Sequence, residues 1–432
     1  MLDIKFIRQN SDLVKDAVKK KFMKVDIDRL LALDEKRRRL IQESETIKAA
    51  QNKLSKSLSA DKNGLALKES KDLKERFKEL EKELKIVQAE YDDLMSLVPN
   101  IISPDTPIGP DDSANKEIFK WGEPKKFDFK IKDHIELGQD LDIIDTETGV
   151  KISGFRGYYL KNEGAMLHLA ILWYCWEKII KAGFKPLIGP TLVKNFVLFG
   201  SGHFPFGKEE VYQIGNPGKL ASGQEGGEPL YLTGTSEPTL LAYFSDKTLN
   251  ENDLPIKVCG FSQCYRSEAG SYGKDTRGLY RLHEFVKVEQ VVLCKNNLEE
   301  SNKWLEEMRR ISEAILRDLE LPYRVVQNSS GDMGAGKYKM FDIETWMPSR
   351  ANYGETHSDS NLTDWQARRL NIKYKDNEGK INFVHALNNT VIASPRILIA
   401  VLENYQQKDG SVLVPKVLQK YLGFKKIVRG KN

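Results

Sequence analysis

From Leu73 to Val98 the apolar residues Leu73, Phe77, Leu80, Leu84, Val87, Tyr91, Leu94 and Val98 are spaced alternately four and three apart, without a miss. That is the a/d seam of a coiled coil, a pattern with helical rather than strand periodicity. Upstream, Leu33, Leu40, Ile47 and Leu54 recur every seven residues, and a second such row from Leu30 to Leu58 carries Arg37, Ser44 and Gln51 between. The runs are separated by the breaker DKNG at 61–64, so the spacing predicts two helices folded back as an antiparallel hairpin. Roughly thirty residues per helix give an arm about 50 Å long. Pro99 stops the second helix, and the Pro-rich run after it reads as a linker. The expected organisation is an N-terminal domain over 1–100 with its arm at about 26–98, a linker over 101–120, and one large domain over 121–432.

A hairpin with a single seam keeps its outer face in water, and that face is basic: Lys36, Arg37, Arg38, Arg39, Lys48, Lys53 and Lys56. Either it is a solvated surface balanced by glutamates, or it contacts a phosphate backbone. Both readings stay open on the residues alone. The net charge of +5 adds little to the second. The N-terminal MLDIKFIRQN lacks the apolar core of a signal peptide, and no 18-residue apolar run follows anywhere, so no membrane partner is expected. Cys175, Cys259, Cys264 and Cys294 form no CxxC pair, and the six histidines form no HExxH. They read as the reduced thiols and isolated imidazoles of a cytoplasmic protein with no zinc site.

Beyond Trp121 the pattern is mixed. Residues 167–182 read as a mostly buried helix, followed by a strand broken at Pro190. Strands are expected at 229–232, 256–265, 279–293, 323–326, 339–346 and 381–387, with a closing helix over 395–406. Adjacent strands joined by loops point to an antiparallel sheet, and the absence of GxGxxG and GxxxxGKS/T excludes the two commonest nucleotide-binding folds.

The stretch CYRSEAGSYGKDTRGLYRLHEFVKVE, at 264–289, places arginines at both ends of a glycine-rich segment. An antiparallel hairpin puts Arg266 on one strand and Arg281, Phe285 and Glu289, four residues apart, on one face of the next. Singly, each is an ordinary surface ion pair or core residue. Together, a cation, an aromatic plate and an acid make a floor for a nucleotide.

That stretch resembles motif 2 of class II aminoacyl-tRNA synthetases in its seryl form. Thr235-Ser236-Glu237 before it, and ETHSDSNLTDWQARR at 355–369 and LNNTVIASPRILIAVLENYQ at 387–406 after it, fall in the family's order. With the arm, the chain resembles the seryl-tRNA synthetase family over nearly its whole length. The resemblance implies an α+β fold of class II type, with the hairpin plus an antiparallel sheet flanked by helices. It implies ATP-dependent activation of L-serine and transfer to tRNA(Ser), and to tRNA(Sec) where one is present, by a homodimer using Mg2+. It would give Arg266 the ATP α-phosphate and the serine carboxylate, Glu268 the adenine edge, and Phe285 the adenine ring. Arg281 would join the ATP site, and Arg396 would hold the γ-phosphate. Glu355 and Ser358 would hold Mg2+. Glu289 and Glu237 would face the serine ammonium with Thr235 and Asn388 nearby, and Thr390 would read the hydroxyl. Lys274 and Arg277 would guide the acceptor end, and Arg37, Arg38 and Arg39 would grip the long variable arm of the tRNA.

The chain departs from the family pattern in several places. Asn388-Asn389-Thr390 stands for the usual Asn-Gly-Ser, Pro395 for a glycine, Glu284 for a glutamine and His357 for a serine, and 214–228 reads as an insertion. Two rival readings remain. One is a synthetase-like ligase charging a carrier protein, which should lack or alter the arm. The other is a non-catalytic RNA-binding relative, which would tolerate loss of Arg266, Glu289 or Arg396.

Overall fold

Helices Ile4–Gln9 (α1) and Ser11–Lys20 (α2) precede the two long ones, Ile27–Ser57 (α3) and Leu65–Leu97 (α4). The computed structural model describes residues 1–57, 65–215, 228–269 and 277–429, which fall into two units, Met1–Pro99 and Asn100–Asn432. The DKNG breaker and most of the 214–228 segment lie outside the described residues. Ion pairs Arg29–Glu90 (2.7 Å), Lys36–Glu83 (2.7 Å) and Arg76–Glu43 (3.9 Å) cross between α3 and α4. Numbers rise on one helix as they fall on the other, so the pair is antiparallel. Such exposed pairs contribute at most about 1 kcal/mol each; the apolar seam does the holding. Leu30, Leu33, Leu40, Leu80, Val87, Tyr91 and Val98 are buried, whereas Ile47, Leu54, Leu73 and Phe77 are only half-buried.

Arg37 belongs to that seam rather than to the outer face. Its guanidinium lies 4.5 Å from the Tyr91 ring centroid and 3.5 Å from the buried Asp34 carboxylate. The heptad row that ran through it explains the placement: an arginine at a seam position stacks its plane on an aromatic partner. Arg38 is half exposed and also reaches Asp34, at 3.1 Å, and Arg39 is the most exposed of the three. The base of the hairpin is closed by Ile7, Val14 and Ala17, all buried, and by Arg8–Asp34 at 3.5 Å and Lys15–Asp28 at 2.6 Å.

In the second unit eight strands form the main sheet: Lys116–Trp121 (β1), Lys185–Leu187 (β2), Ile256–Tyr265 (β3), Glu284–Cys294 (β4), Tyr323–Gln327 (β5), Lys339–Met347 (β6), Asn352–Asn361 (β7) and His385–Ser394 (β8). Their spatial order is β1-β5-β6-β7-β8-β4-β3-β2, antiparallel except for the edge pair β2–β3. Helices Asn162–Lys181 (α5), Leu298–Asp318 (α6) and Arg396–Tyr405 (α7) pack on it. The antiparallel α+β architecture expected from the sequence is the one found.

Several local expectations are corrected. The 101–120 run is not a free linker. The buried Asn100 amide donates to Gly336 O, Leu362 O and Thr363 Oγ1, Ser103 N donates to Tyr338 O, and Ser329 Oγ donates to Asp111 O. Its prolines make it extended, and an extended chain with free carbonyls is fastened wherever neighbouring donors meet it. Its end is β1, paired with β5. The strand expected from Leu279 begins only at Glu284, because Leu279 N donates to His134 Nε2 at 3.1 Å and Gly278 takes φ +77° beside that ring. The expected 381–387 strand splits at Val384: Ile381–Phe383 pairs with Lys373–Lys375, and β8 joins the main sheet. The polar β7 and the helix α6 carried no expectation, although α6 has the core spacing Leu305, Met308, Ser312, Ile315, Leu316 and an Asn297 cap at 2.9 Å.

Candidate functional site

The middle of the sheet is unusually polar for a buried surface, and its two faces divide the labour. On the α6 side, Gln290 and Asn389, opposite each other on β4 and β8, both donate to Met308 O, at 3.1 and 2.9 Å. Asn389 also donates to Ser312 Oγ at 3.1 Å, and Ser312 Oγ donates to Thr390 O at 3.0 Å. Asn389, one of the departures from the family pattern, thus uses its amide to clamp β8 onto the helix beneath. Alternation sends the neighbouring residues, Glu289 and Thr390, to the other face.

That other face is the floor of one cleft. Its lining includes Arg266 from the end of β3, Phe285 and Glu289 from β4, Glu355 and Ser358 from β7, and Asn388 and Thr390 from β8. Thr235 enters from the loop before the short helix Glu237–Ala242 and Glu237 from its first turn, Glu268 and Arg281 from the hairpin, and Arg396 from the start of α7. All twelve residues of the serine, ATP and metal expectations line this cleft. Arg277, at the resumption of the hairpin, is exposed and is not among the lining residues; Lys274 lies outside the described residues.

Each side chain is held by identifiable contacts. Arg266 donates through Nε to Gly234 O at 3.4 Å and stands 5.2 Å from the Phe285 ring centroid. The Gly234–Glu237 loop presses against β3 at Gly260, where a Cβ would come within 2.5 Å of Ser236 Oγ, so glycine is required there. Glu237 Oε1 accepts from Gln366 Nε2 at 2.6 Å and Asn388 Nδ2 at 2.9 Å. Arg281 Nη1 donates to Glu268 Oε2 at 2.7 Å, and Arg156, which the sequence did not single out, approaches the same oxygen at 3.9 Å. Arg396 donates to Glu355 O at 2.9 Å and Tyr280 O at 3.2 Å, and its guanidinium lies 4.4 Å from the Tyr280 ring centroid. Its Nη1 is also 3.5 Å from Glu355 Oε2. Helix α7 is anchored by the buried Glu403, which accepts from His134 Nδ1 at 3.0 Å while His134 Nε2 accepts from Leu279 N. One imidazole therefore ties the hairpin to the helix that carries Arg396.

Electrostatics separates the ends of the cleft. Asp342 lies on β6 opposite Ser358, and burial together with the Glu355 charge pushes the Asp342 carboxyl well above the usual range. The Glu355 carboxylate and the Ser358 hydroxyl, which line the cleft, offer oxygen donors of the kind a small hard cation takes. At the other end lies a residue absent from the expectations: Lys287, on β4 between Phe285 and Glu289, with Nζ 2.5 Å from Glu289 Oε2 and both side chains buried. The two-residue alternation that marked Phe285 and Glu289 marks Lys287 as well. His203 and His357 also line the cleft; burial lowers both, His357 to about 3, so both imidazoles are neutral.

Comparison with known proteins is consistent across the chain. The seryl-tRNA synthetase N-terminal domain matches residues 1–102, and the tRNA synthetase class II core domain (G, H, P, S and T) matches 219–405. A serine--tRNA ligase of Treponema denticola is 42% identical over 99% of this chain and all of its own length, and that of Deinococcus radiodurans is 43% identical over 99% of each. The crystal structure of seryl-tRNA synthetase from Pyrococcus horikoshii complexed with ATP superposes with a TM-score of 0.90 at 36% identity, covering 100% of both chains. The cytoplasmic serine-tRNA ligase of Naegleria fowleri, in complex with AMP, gives 0.86 at 33% identity, covering 100% of this chain and 99% of its own. A prolyl-tRNA synthetase from Giardia lamblia shares the fold alone, at 19% identity and a TM-score of 0.57. With a cleft of this composition on an antiparallel sheet, an N-terminal helical hairpin and full-length relatives above 40% identity, the chain belongs to the seryl-tRNA synthetase family.

Proposed function

We propose that this cleft activates L-serine with ATP and that the chain passes the seryl group to the 3′ end of tRNA(Ser). The observation that carries the reading is the convergence of Arg266, Glu289, Thr390 and Arg396 in one cleft. A zwitterion needs a cation and an acid at fixed separation, and a triphosphate needs guanidinium groups. Arg266 takes the serine carboxylate and the α-phosphate, bringing nucleophile and electrophile together. Phe285 supplies the plate for adenine and Glu268, fixed by Arg281, meets its edge. Glu237 and Glu289 balance the serine ammonium, and Thr390 faces the serine hydroxyl. The carboxylate oxygen attacks the α-phosphorus and pyrophosphate leaves; a terminal ribose hydroxyl of the tRNA then attacks the acyl carbon and AMP leaves. Neither step needs a side-chain nucleophile, because positioning and charge neutralisation lower the barrier. Glu355 and Ser358 would hold Mg2+, which when bound neutralises phosphate charge; Arg396, now beside Glu355, would turn to the γ-phosphate.

The test is charging itself. Incubated with ATP, serine and tRNA transcripts, the protein should acylate tRNA with a long variable arm and leave an otherwise similar short-armed tRNA uncharged. Serine transfer to a carrier protein, with tRNA left free, would replace this reading by the carrier-ligase one.

The same reading includes a homodimer. Helix α5 buries Leu167, Ile171, Leu172, Cys175 and Ile179, yet leaves Met166 46%, Leu169 61% and Trp173 54% exposed on its other side. Apolar side chains at that spacing in water favour a covering partner. Sedimentation at micromolar concentration should give twice the 49.3 kDa chain mass, and Trp173→Glu should shift it to one. A fully active monomer would contradict the dimer. Among the described residues no helix is long and apolar enough to cross a membrane, and the reading places the enzyme in the cytoplasm.

A further inference from the structure

Beneath Thr390 the cleft closes on a triangle of buried groups. Lys287 Nζ is 2.5 Å from Glu289 Oε2 and donates to Thr390 Oγ1 at 3.5 Å, and Thr390 Oγ1 donates to Glu289 Oε2 at 3.5 Å. Lys287 is 6%, Glu289 1% and Thr390 6% exposed. A lysine so buried loses most of its hydration and is retained only where its partners repay that loss. Nothing on the α6 side of the sheet needs it, since alternation turns Lys287 toward the cleft with Phe285 and Glu289.

We propose that Lys287 is a positioning residue for serine selection: its ammonium pins the Glu289 carboxylate and the Thr390 hydroxyl in the one arrangement that receives the substrate hydroxyl and ammonium. This rests on reading the cleft as a serine-activating site. Charge counting supports it. Glu237 and Glu289 bring two negative charges to this end of the cleft; a serine ammonium answers one, and Lys287, whose Nζ is 2.5 Å from Glu289 Oε2, is the cation bonded to the other, with Lys337 adding to it. The groups that face Glu289 and Lys287 are Glu237, His203, Arg266, Lys337 and, from β3, the Cys264 thiol, which burial pushes up, with Asp359 behind the sheet. Burial and the Glu237 charge raise the Glu289 carboxyl, and Lys287 and Lys337 pull it back down. Removing Lys287 therefore raises it further, and the ionised fraction at a given pH falls. Serine use should then grow as pH climbs through the raised value.

The experiment is ATP–pyrophosphate exchange, per folded molecule, on Lys287→Met, Lys287→Arg, Glu289→Gln and the Lys287→Met/Glu289→Gln double variant. Truncating one partner of a buried charge pair should cost roughly 100-fold in kcat/KM for serine. The loss should sit in the serine KM with the ATP KM within about twofold, and the serine-to-alanine preference should shrink with it. In Lys287→Met the gain of activity with rising pH should move to higher pH than in the parent, and Lys287→Arg should restore part of the activity and of the profile. In the Glu289→Gln background the Lys287→Met loss should largely vanish, because the lysine acts through that carboxylate. The double variant, with no lone buried charge, also serves if Lys287→Met folds poorly. An unchanged serine KM and a pH profile unshifted from the parent's in Lys287→Met, or losses that simply multiply in the double variant, overturn the proposal. A parent protein with no serine-dependent exchange overturns instead the serine reading beneath it.

Discussion

Arg266→Ala should lower serine-dependent ATP–pyrophosphate exchange about a thousandfold or more while the protein stays folded. The guanidinium is asked to neutralise both reacting anions, and loss of one such preorganised donor set typically costs 10²- to 10³-fold on its own. Its structural ties are one long bond to Gly234 O and the contact with Phe285, so the melting temperature should fall by only a few degrees. Arg396→Ala should cost about a hundredfold, chiefly in the ATP KM, because it is assigned to a phosphate remote from the bond that forms. Thermal melts and exchange run on the same preparations separate the outcomes. A large drop in melting temperature with exchange per folded molecule preserved would make both arginines structural ion-pair partners.

Shortening the arm should leave activation standing and collapse transfer. The burial gradient along the hairpin says where to cut. Excision at Asp26 would uncover Ile7, Val14 and Ala17, whereas removing 42–78 and closing with a short turn keeps Leu33, Leu40, Leu80, Val87 and Tyr91 packed. Exchange should stay within about twofold of the parent. Aminoacylation should fall by two or more orders of magnitude, since phosphate contacts supply most of the sequence-independent affinity. Arg38→Ala with Arg39→Ala should give a milder loss and a shallower dependence of tRNA affinity on salt. Arg37→Ala should instead lower arm stability, because Arg37 stacks on Tyr91 and reaches Asp34. Equal survival of exchange and aminoacylation would make the arm a spacer.

The site was more legible in the sequence than the scaffold around it. Phe285 and Glu289 are legible because an aromatic and an acid four residues apart share one face of an otherwise apolar strand, and Arg266 because it precedes a glycine-rich segment with arginines at its other end. Lys287 falls under the same pattern, but a lysine in a strand is most often solvated, so the pattern alone does not single it out. Strand β7 stayed invisible for a physical reason: His357, Asp359, Ser360 and Asn361 are buried yet polar, so no hydrophobic alternation marks it. The fastening of residues 101–120 leaves no mark in the sequence, because proline content reports backbone shape, not whether a neighbour fastens it. Arg156 could not be found locally, as it meets Glu268 from over a hundred residues upstream. The heptad seam, by contrast, depends only on neighbours three and four residues apart, and the helices it called for are present.

On the proposed reading, the cleft selects a hydroxyl-bearing amino acid through Glu289 and Thr390. ATP–pyrophosphate exchange with each of the twenty amino acids, in the absence of tRNA, addresses it directly. Serine alone should support rapid exchange, with alanine lower on the order of 10⁴-fold because it leaves buried polar groups unpaired, and threonine excluded less strictly by size. Exchange with alanine or glycine at the serine rate would contradict the account.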